Sequence, residues 1–171
     1  MALDIAIQMD PIESVDVHAD TTFDLALEAH ARGHRLWIYQ PAALALRDGR
    51  LCARARQVVA LRREQGVHAS LAAPETIDLH AVNVVLVRQD PPFNMAYITA
   101  AQMLERLQPD VLVLNDPRSI RDAPEKLFVT EFKDLTPPTL ITRDTGFIRA
   151  FRAEHGDIIL KPLYGNGGAG V

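Results

Sequence analysis

A lysine and a glycine-rich segment stand side by side near the end of the sequence. Lys161 lies within the apolar run 158–163, and residues 164–170 carry four glycines. Glycines let backbone N–H groups approach an anion closely, and a lysine supplies a positive charge for the same anion. This combination predicts a site for the phosphates of a nucleoside triphosphate. Because a glycine loop should lead into another element, we expect the sequence to be the front part of a longer protein.

Other interpretations of the same residues are available. Residues 165–170 match G-x-G-x-x-G, but a dinucleotide site also needs a following helix and an acidic residue about 20 positions later. The Walker A pattern is not met either, because no Lys-Ser or Lys-Thr pair follows the glycines. The glycine-rich segment could instead be a flexible linker without a ligand. A buried lysine without a partner is rare, so a functional role is favoured for Lys161. For Lys126, in an early helical turn, a solvated side chain is the ordinary interpretation.

Three predicted strands end in polar residues that are followed by proline. Asp10, Arg88 and Asn115 mark these ends, and ligands of open parallel sheets bind at the carboxyl ends of strands. A guanidinium at such a position can hold a carboxylate through two parallel hydrogen bonds. A salt bridge from Arg88 to Asp90 or to a neighbouring acid is an equally good alternative. Turn or helix capping is the favoured interpretation of Asp10 and Asn115 from the residues alone.

The pattern of apolar residues predicts an α/β fold with a Rossmann-like parallel sheet. We expect a strand at residues 3–7, a helix that starts with Thr21 as its cap and stops at Gly33, and a strand at 36–39, which together form a βαβ unit with parallel strands. Further along, the pattern predicts an antiparallel excursion over 42–62, buried strands at 82–87 and 111–114, and a helix at 97–107.

The composition changes near residue 120, and we expect a domain boundary at residues 116–122. Residues 1–120 are then one domain, and residues 121–171 are the start of another. In this second part the pattern predicts helices at 125–132 and 145–155 and strands at 139–142 and 158–163.

The composition is that of an ordinary globular protein. Of the 171 residues, 48% are hydrophobic, which is enough to form a hydrophobic core, and 23% are charged, which is ordinary for a globular protein. The net charge of -4 gives no indication of nucleic-acid binding, and no apolar run approaches the ~20 residues that would span a membrane. We expect no signal peptide. Cys52 is the single cysteine, which is typical of a reducing cytoplasm.

Five motifs in order carry a resemblance to a known family. They are Met-Asp-Pro-Ile at residues 9–12, Arg-Gln-Asp-Pro-Pro-Phe at 88–93, Asn-Asp-Pro-Arg-Ser-Ile-Arg-Asp at 115–122, Glu-Lys-Leu-Phe at 125–128 and Ile-Ile-Leu-Lys-Pro-Leu at 158–163. In these motifs the chain resembles the amino-terminal half of bacterial glutathione synthetases, which are ATP-grasp ligases. Each motif is modest alone, but their common order is specific.

The resemblance implies a substrate-binding domain over 1–120 and an ATP-grasp domain that begins at 121 and is cut within its glycine-rich loop. It implies ATP, γ-glutamylcysteine and glycine as substrates, Mg²⁺ or Mn²⁺ as cofactor, a cytoplasmic homo-tetramer, and no nucleic-acid or membrane partner. Metal ligands are expected beyond Val171, with none within this chain. The implied site residues are Lys161 as catalytic residue, Lys126, Lys161, Gly165, Asn166, Gly167, Gly168 and Gly170 for ATP, and Arg88, Asp10 and Asn115 for the substrate.

Two other functions stay open at this point. One is an ATP-grasp ligase that joins different amino acids. The other is a noncatalytic Rossmann-like domain that binds a small acid or peptide. Titration of this 171-residue chain with ATP, compared with titration of a full-length version, would distinguish these two functions.

Overall fold

A computed structural model describes residues 1–165, 168, 170 and 171. Its strands are β1 (Asp4–Gln8), β2 (Arg35–Tyr39), β3 (Leu44–Arg47), β4 (Arg50–Leu61), β5 (Ala69–Leu71), β6 (Glu75–Asp78), β7 (Val84–Val87) and β8 (Leu112–Leu114). Its α-helices are α1 (Thr21–Ala31), α2 (Met95–Glu105), α3 (Pro117–Asp122), α4 (Glu125–Phe128) and α5 (Thr145–His155). Short 3₁₀ turns connect several of them, at Ile12–Ser14, Pro41–Ala43, Leu79–Ala81, Val129–Glu131 and Lys133–Leu135.

The strands form one mixed sheet in the order β3-β4-β2-β1-β7-β8, with β5 and β6 also paired to β4. The four strands β2, β1, β7 and β8 are parallel, and Ile5 of β1 stands opposite both Leu36 and Val84. Strand β4 runs antiparallel to β2 and forms a hairpin with β3. The structure confirms the predicted α/β fold with a Rossmann-like parallel sheet, and the antiparallel excursion makes that sheet mixed.

The two faces of the sheet have separate cores. On one face, Phe23 and Ala26 of α1 pack with Ile5 and Ile7. On the other face, Leu104 of α2 belongs to a cluster with Ala6 and Val85. The chain therefore leaves β1 through α1 on one face, and leaves β7 through α2 on the opposite face. Since β1 and β7 are neighbours, a crevice opens between their carboxyl ends, where ligands bind in open α/β sheets.

The cap of α1 differs from the one predicted. Asp20, not Thr21, is the N-cap, and its carboxylate accepts a hydrogen bond of 2.8 Å from the backbone N–H of Phe23. A carboxylate at this position satisfies one of the free N–H groups of the first turn. Thr21 is instead the first helical residue, so its hydroxyl is available to another partner.

Several predicted strands in the second half are wrong or less buried than expected. Residues 139–142 and 158–163 contain no strand, because a strand needs a neighbouring ladder and none of the described strands pairs with them. Lys161 is accordingly exposed rather than held within a buried strand. In β8, which lies at the edge of the sheet, Val113 is buried, but Leu112 and Leu114 are largely exposed.

The helices keep closer to prediction. Helix α2 begins two residues earlier than expected, because Asn94 caps it by accepting hydrogen bonds from the N–H groups of Ala96 and Tyr97. The helix predicted over 125–132 is the short α4 followed by a 3₁₀ turn, and α5 has the expected bounds. None of the helices in the described part of the chain is both long enough and apolar enough to cross a membrane.

Replacement of Tyr39 by phenylalanine should leave the protein as stable as before, or more stable. Tyr39 is 3% exposed, its hydroxyl has no hydrogen-bond partner among the described residues, and burial raises the pKa of the phenol. An unpaired buried hydroxyl costs about 1–3 kcal/mol, so its removal relieves part of that cost. The check is the midpoint of urea unfolding for both proteins, and a midpoint well below that of the parent would mean that the hydroxyl is hydrogen-bonded.

Candidate functional site

Arg88 stands at the crevice between β1 and β7, directly after the last residue of β7. Its backbone N–H donates to the carbonyl oxygen of Gln8, the last residue of β1, at 2.7 Å. Its side chain reaches across to the start of α1, where Nε donates to the hydroxyl of Thr22 at 3.0 Å and Nη2 donates to that of Thr21 at 2.7 Å. The alternative salt bridge to Asp90 does not form among the described residues.

Asp10 ties together the loops that follow β1 and β7. Its side chain is exposed, and Oδ2 accepts a hydrogen bond of 2.7 Å from the backbone N–H of Asp90. This contact agrees with the capping interpretation of Asp10. It also holds the segment after Arg88 close to the carboxyl end of β1, so the crevice has a defined rim.

Tyr97 connects this crevice to a neighbouring cavity. Burial raises the pKa of its phenol, the negative charges of Asp90 and Asp10 raise it further, and the positive charge of Arg88 opposes them. The phenol therefore lies within electrostatic range of all three side chains. Its ring also contacts that of Phe93, with centroids 5.3 Å apart.

The cavity beside Tyr97 has a volume of about 380 Å³ and is built from two parts of the chain. Asn115 and Ser119 belong to the first part of its wall, while Lys126 and Gly165 come from the second. Pro91, Phe93, Tyr97, Ile120, Ala123, Pro124, Glu125, Leu163 and Tyr164 complete the lining. Apolar and aromatic walls with a few polar groups are typical of a small-molecule site.

Lys126 is the cation of this cavity, and it is not the solvated side chain that its position in a first helical turn predicts. Only 24% of the side chain is exposed, and Nζ donates to the carbonyl oxygen of Gly165 at 2.5 Å. The contact brings the start of α4 and the beginning of the glycine-rich segment together. A lysine that holds a backbone carbonyl here can exchange it for a stronger anionic acceptor, such as a phosphate.

Helix α3 carries Ser119 of the cavity wall and begins shortly after Asn115. Hydrogen bonds and ion pairs hold this helix against α2. Asp116 caps α3 and accepts from the N–H of Ser119 at 2.8 Å and from the side chain of Gln108 at 3.0 Å. These hydrogen bonds, that from Gln108 foremost, lower the pKa of Asp116 to about 2. Glu105 of α2 also pairs with Arg118 and with Arg121, each at 2.8 Å. These contacts hold the start of α3 against α2 and the turn that follows it.

The predicted site residues do not all come together. Asn115, Lys126 and Gly165 line the cavity, Arg88 and Asp10 lie at the adjoining crevice, and Lys161 is exposed and outside the lining. Gly168 and Gly170 have positive φ values of 76° and 77°, whereas Asn166 and Gly167 lie outside the described residues. Their roles stay predictions.

Sequence reasoning missed the residues around Arg88 and Tyr97. A hydrophobic pattern does not indicate that Thr21 and Thr22 contact a residue more than sixty positions away. For Tyr97, the signal was Asn94, whose type is a strong N-cap and would have placed Tyr97 in the first turn of α2, next to the 88–93 motif. Among the described residues, no three His, Cys, Asp or Glu side chains form a group able to hold a metal ion.

Comparisons with known proteins agree with these two parts. Residues 3–121 match the model of the N-terminal domain of prokaryotic glutathione synthetase, and residues 125–171 match the model of the ATP-grasp domain of the same enzymes. The chain is 55% identical to the glutathione synthetase of Agrobacterium fabrum over 98% of the chain and 52% of that relative. For the glutathione synthetases of Mesorhizobium japonicum and Vibrio vulnificus the identities are 55% and 42%, over 100% of the chain and 54% of each relative.

The fold and these matches define an α/β protein with an ATP-grasp segment. The chain belongs to the prokaryotic glutathione synthetase family. It spans about half the length of the curated relatives that it matches.

Proposed function

We propose that the complete enzyme, meaning the protein of the family's full length that contains this chain, joins γ-glutamylcysteine to glycine with hydrolysis of ATP. The main support from geometry is the cavity that Lys126, Gly165 and Asn115 all line, beside the crevice of Arg88. A site of this kind places a phosphate-binding group next to groups that can bind a carboxylate. The relatives that match the whole chain are named glutathione synthetases, which favours this pair of substrates.

The reaction has two steps. The γ-phosphoryl group of ATP is transferred to the cysteinyl carboxylate, which gives an acyl phosphate and ADP. The amine of glycine then attacks the acyl carbon, the C–O bond to phosphate breaks, and a proton is lost from nitrogen. The first step is needed because a carboxylate is a poor electrophile, and stabilisation of the transferring phosphoryl group by fixed positive charges lowers its barrier.

In this proposal, each part of the site has one role. Arg88 holds a carboxylate of γ-glutamylcysteine, with Asp10 and Asn115 at the edge of the substrate. Lys126 and Lys161 neutralise the phosphates, and Lys161 assists the transfer itself. The glycine-rich segment, with Gly165, Asn166, Gly167, Gly168 and Gly170, covers the phosphates and keeps water from the acyl phosphate.

A divalent cation completes the proposal. Mg²⁺ or Mn²⁺ would neutralise charge on the phosphates of ATP. The described residues offer Lys126 and a glycine segment to the phosphates, but no cluster of metal-ligating side chains. That the metal ligands lie beyond Val171 is what the family resemblance implies, and it stays a prediction. The homo-tetramer and the cytoplasmic location stay predictions.

The test compares the complete enzyme with a polypeptide of residues 1–171. Both are incubated with ATP, Mg²⁺, γ-glutamylcysteine and glycine, and the phosphate released and the glutathione formed are measured. The complete enzyme should form one glutathione for each phosphate, and residues 1–171 alone should form none. Equal or greater activity with another acceptor amino acid would refute the assigned substrate, and comparable turnover by residues 1–171 would refute the need for the other half.

A further inference from the structure

We propose that Thr21 and Thr22 are positioning residues for Arg88. Their hydroxyls hold one edge of the guanidinium so that its other edge is presented to a carboxylate. This inference rests on the proposed function, because it takes Arg88 as the group that binds a carboxylate of γ-glutamylcysteine. The inference explains what fixes the guanidinium of Arg88 in one orientation before the substrate binds.

The hydrogen bonds define which edge is held. Nε donates to Thr22 Oγ1 at 3.0 Å, and Nη2 donates to Thr21 Oγ1 at 2.7 Å. Guanidinium has five N–H donors in a rigid plane. With Nε and one N–H of Nη2 engaged, Nη1 and the second N–H of Nη2 are left to donate two parallel hydrogen bonds to a carboxylate.

The partners of Arg88 are neutral hydroxyls, and this sets it apart from the ion-paired arginines of the chain. Arg35 pairs with Asp4, Arg50 pairs with Asp78, and Arg121 pairs with Glu105 and Asp122. No acidic side chain lies within ion-pair distance of Arg88 among the described residues. A carboxylate partner would compete with an anionic substrate, whereas a hydroxyl fixes the orientation and leaves the positive charge uncompensated.

The threonines are themselves held in place. They are the first two residues of α1, whose start is capped by Asp20 and whose buried side chains include Phe23. Thr22 is only 5% exposed, and β-branched side chains are restricted at χ1. The backbone of Arg88 is tied to β1 through Gln8. Both ends of the contact therefore belong to rigid elements.

The guanidinium itself supplies the positive charge at the free edge. The N-terminus of a helix carries a partial positive charge, and the guanidinium bonds to the first two residues of α1. A cation at this end does not stabilise the helix. The carboxylate of Asp20 already caps this helix end, so a carboxylate at the free edge is attracted by the uncompensated charge of the Arg88 guanidinium.

The test uses Thr22→Val and Thr22→Ser in the complete enzyme. Valine has nearly the same shape without the hydroxyl, and serine keeps the hydroxyl. Thr22→Val should raise the KM for γ-glutamylcysteine about 10-fold, the size expected for one hydrogen bond to a charged group, with kcat and the KM for ATP unchanged. Thr22→Ser should restore the KM of the parent. An unchanged KM in Thr22→Val overturns the proposal.

The same substitution in an Arg88→Ala enzyme distinguishes a threonine that positions Arg88 from one that binds the substrate directly. In an Arg88→Ala enzyme, Thr22→Val should have no further effect on the KM for γ-glutamylcysteine, because the hydroxyl acts through the guanidinium. An equal increase in both backgrounds overturns the positioning role. If Arg88→Ala itself leaves this KM unchanged, the assignment of Arg88 in the proposed function has failed, which is a different result. Thr21→Val, on an exposed side chain, gives the same comparison if Thr22→Val does not fold.

Discussion

Arg88→Lys in the complete enzyme should raise the KM for γ-glutamylcysteine roughly 10- to 150-fold and leave the KM for ATP nearly unchanged. Lysine keeps the charge but has three N–H donors and no planar fork, so it cannot bond both threonines and also hold a carboxylate through two parallel hydrogen bonds. Loss of a hydrogen bond to a charged group costs about 1.5–3 kcal/mol, which corresponds to this range of affinity. Initial rates at varied concentrations of each substrate give the two KM values.

The competing role for Arg88 is a purely structural one, in which it clamps α1 to the end of β7. Arg88→Lys would then lower the melting temperature and spare substrate binding. Arg35→Lys is the matched control, because Arg35 is a largely exposed arginine that pairs with Asp4, the first residue of β1. That variant should change neither KM. Kinetics and thermal melts of the two variants decide between the roles.

Much of the fold of the first 120 residues was predictable because its signals are local, although β5 and β6, which pair with β4, were not predicted. Apolar runs of strand length alternate with helical periods, and Asp48-Gly49 marks the β3–β4 turn with φ values of 50° and 81°. Such features depend on a few neighbouring residues. The cap of α1 was missed because Asp20, Thr21 and Thr22 are all suitable cap residues, and only packing decides among them.

Residues 121–171 show which features of the fold cannot be predicted from local sequence signals. Residues 158–163 have the composition of a buried strand, yet Ile159 and Leu160 are 73% and 57% exposed. A strand is stabilised by pairing and by cover on its faces, and neither is encoded in the segment itself. The contacts of the site likewise depend on residues that are distant in the sequence. Sequence placed Asp10, Arg88 and Asn115 at strand ends, but the contact of Arg88 with α1 depends on the crossing of α1 over the sheet.

These differences concern the two lysines of the predicted phosphate site. The sequence favoured Lys161 over Lys126, because a buried strand would have fixed the charge of Lys161. In the structure that strand does not form, and Lys161 is exposed. Lys126 is instead three-quarters buried, and Nζ is held at the cavity wall by the carbonyl oxygen of Gly165. The role of Lys161 stays a prediction, whereas Lys126 has a defined place beside the cavity.

Lys126→Ala in the complete enzyme should therefore raise the KM for ATP by roughly 10- to 150-fold, since one charged hydrogen bond to phosphate is lost. The KM for γ-glutamylcysteine should change little, because Arg88 is untouched. Lys133→Ala is the matched control, since Lys133 is exposed and does not line the cavity. Binding of ATP measured by calorimetry separates affinity from turnover. Equal and mild effects of both substitutions would show that Lys126 only joins α4 to the glycine-rich segment, and that the phosphates are held elsewhere.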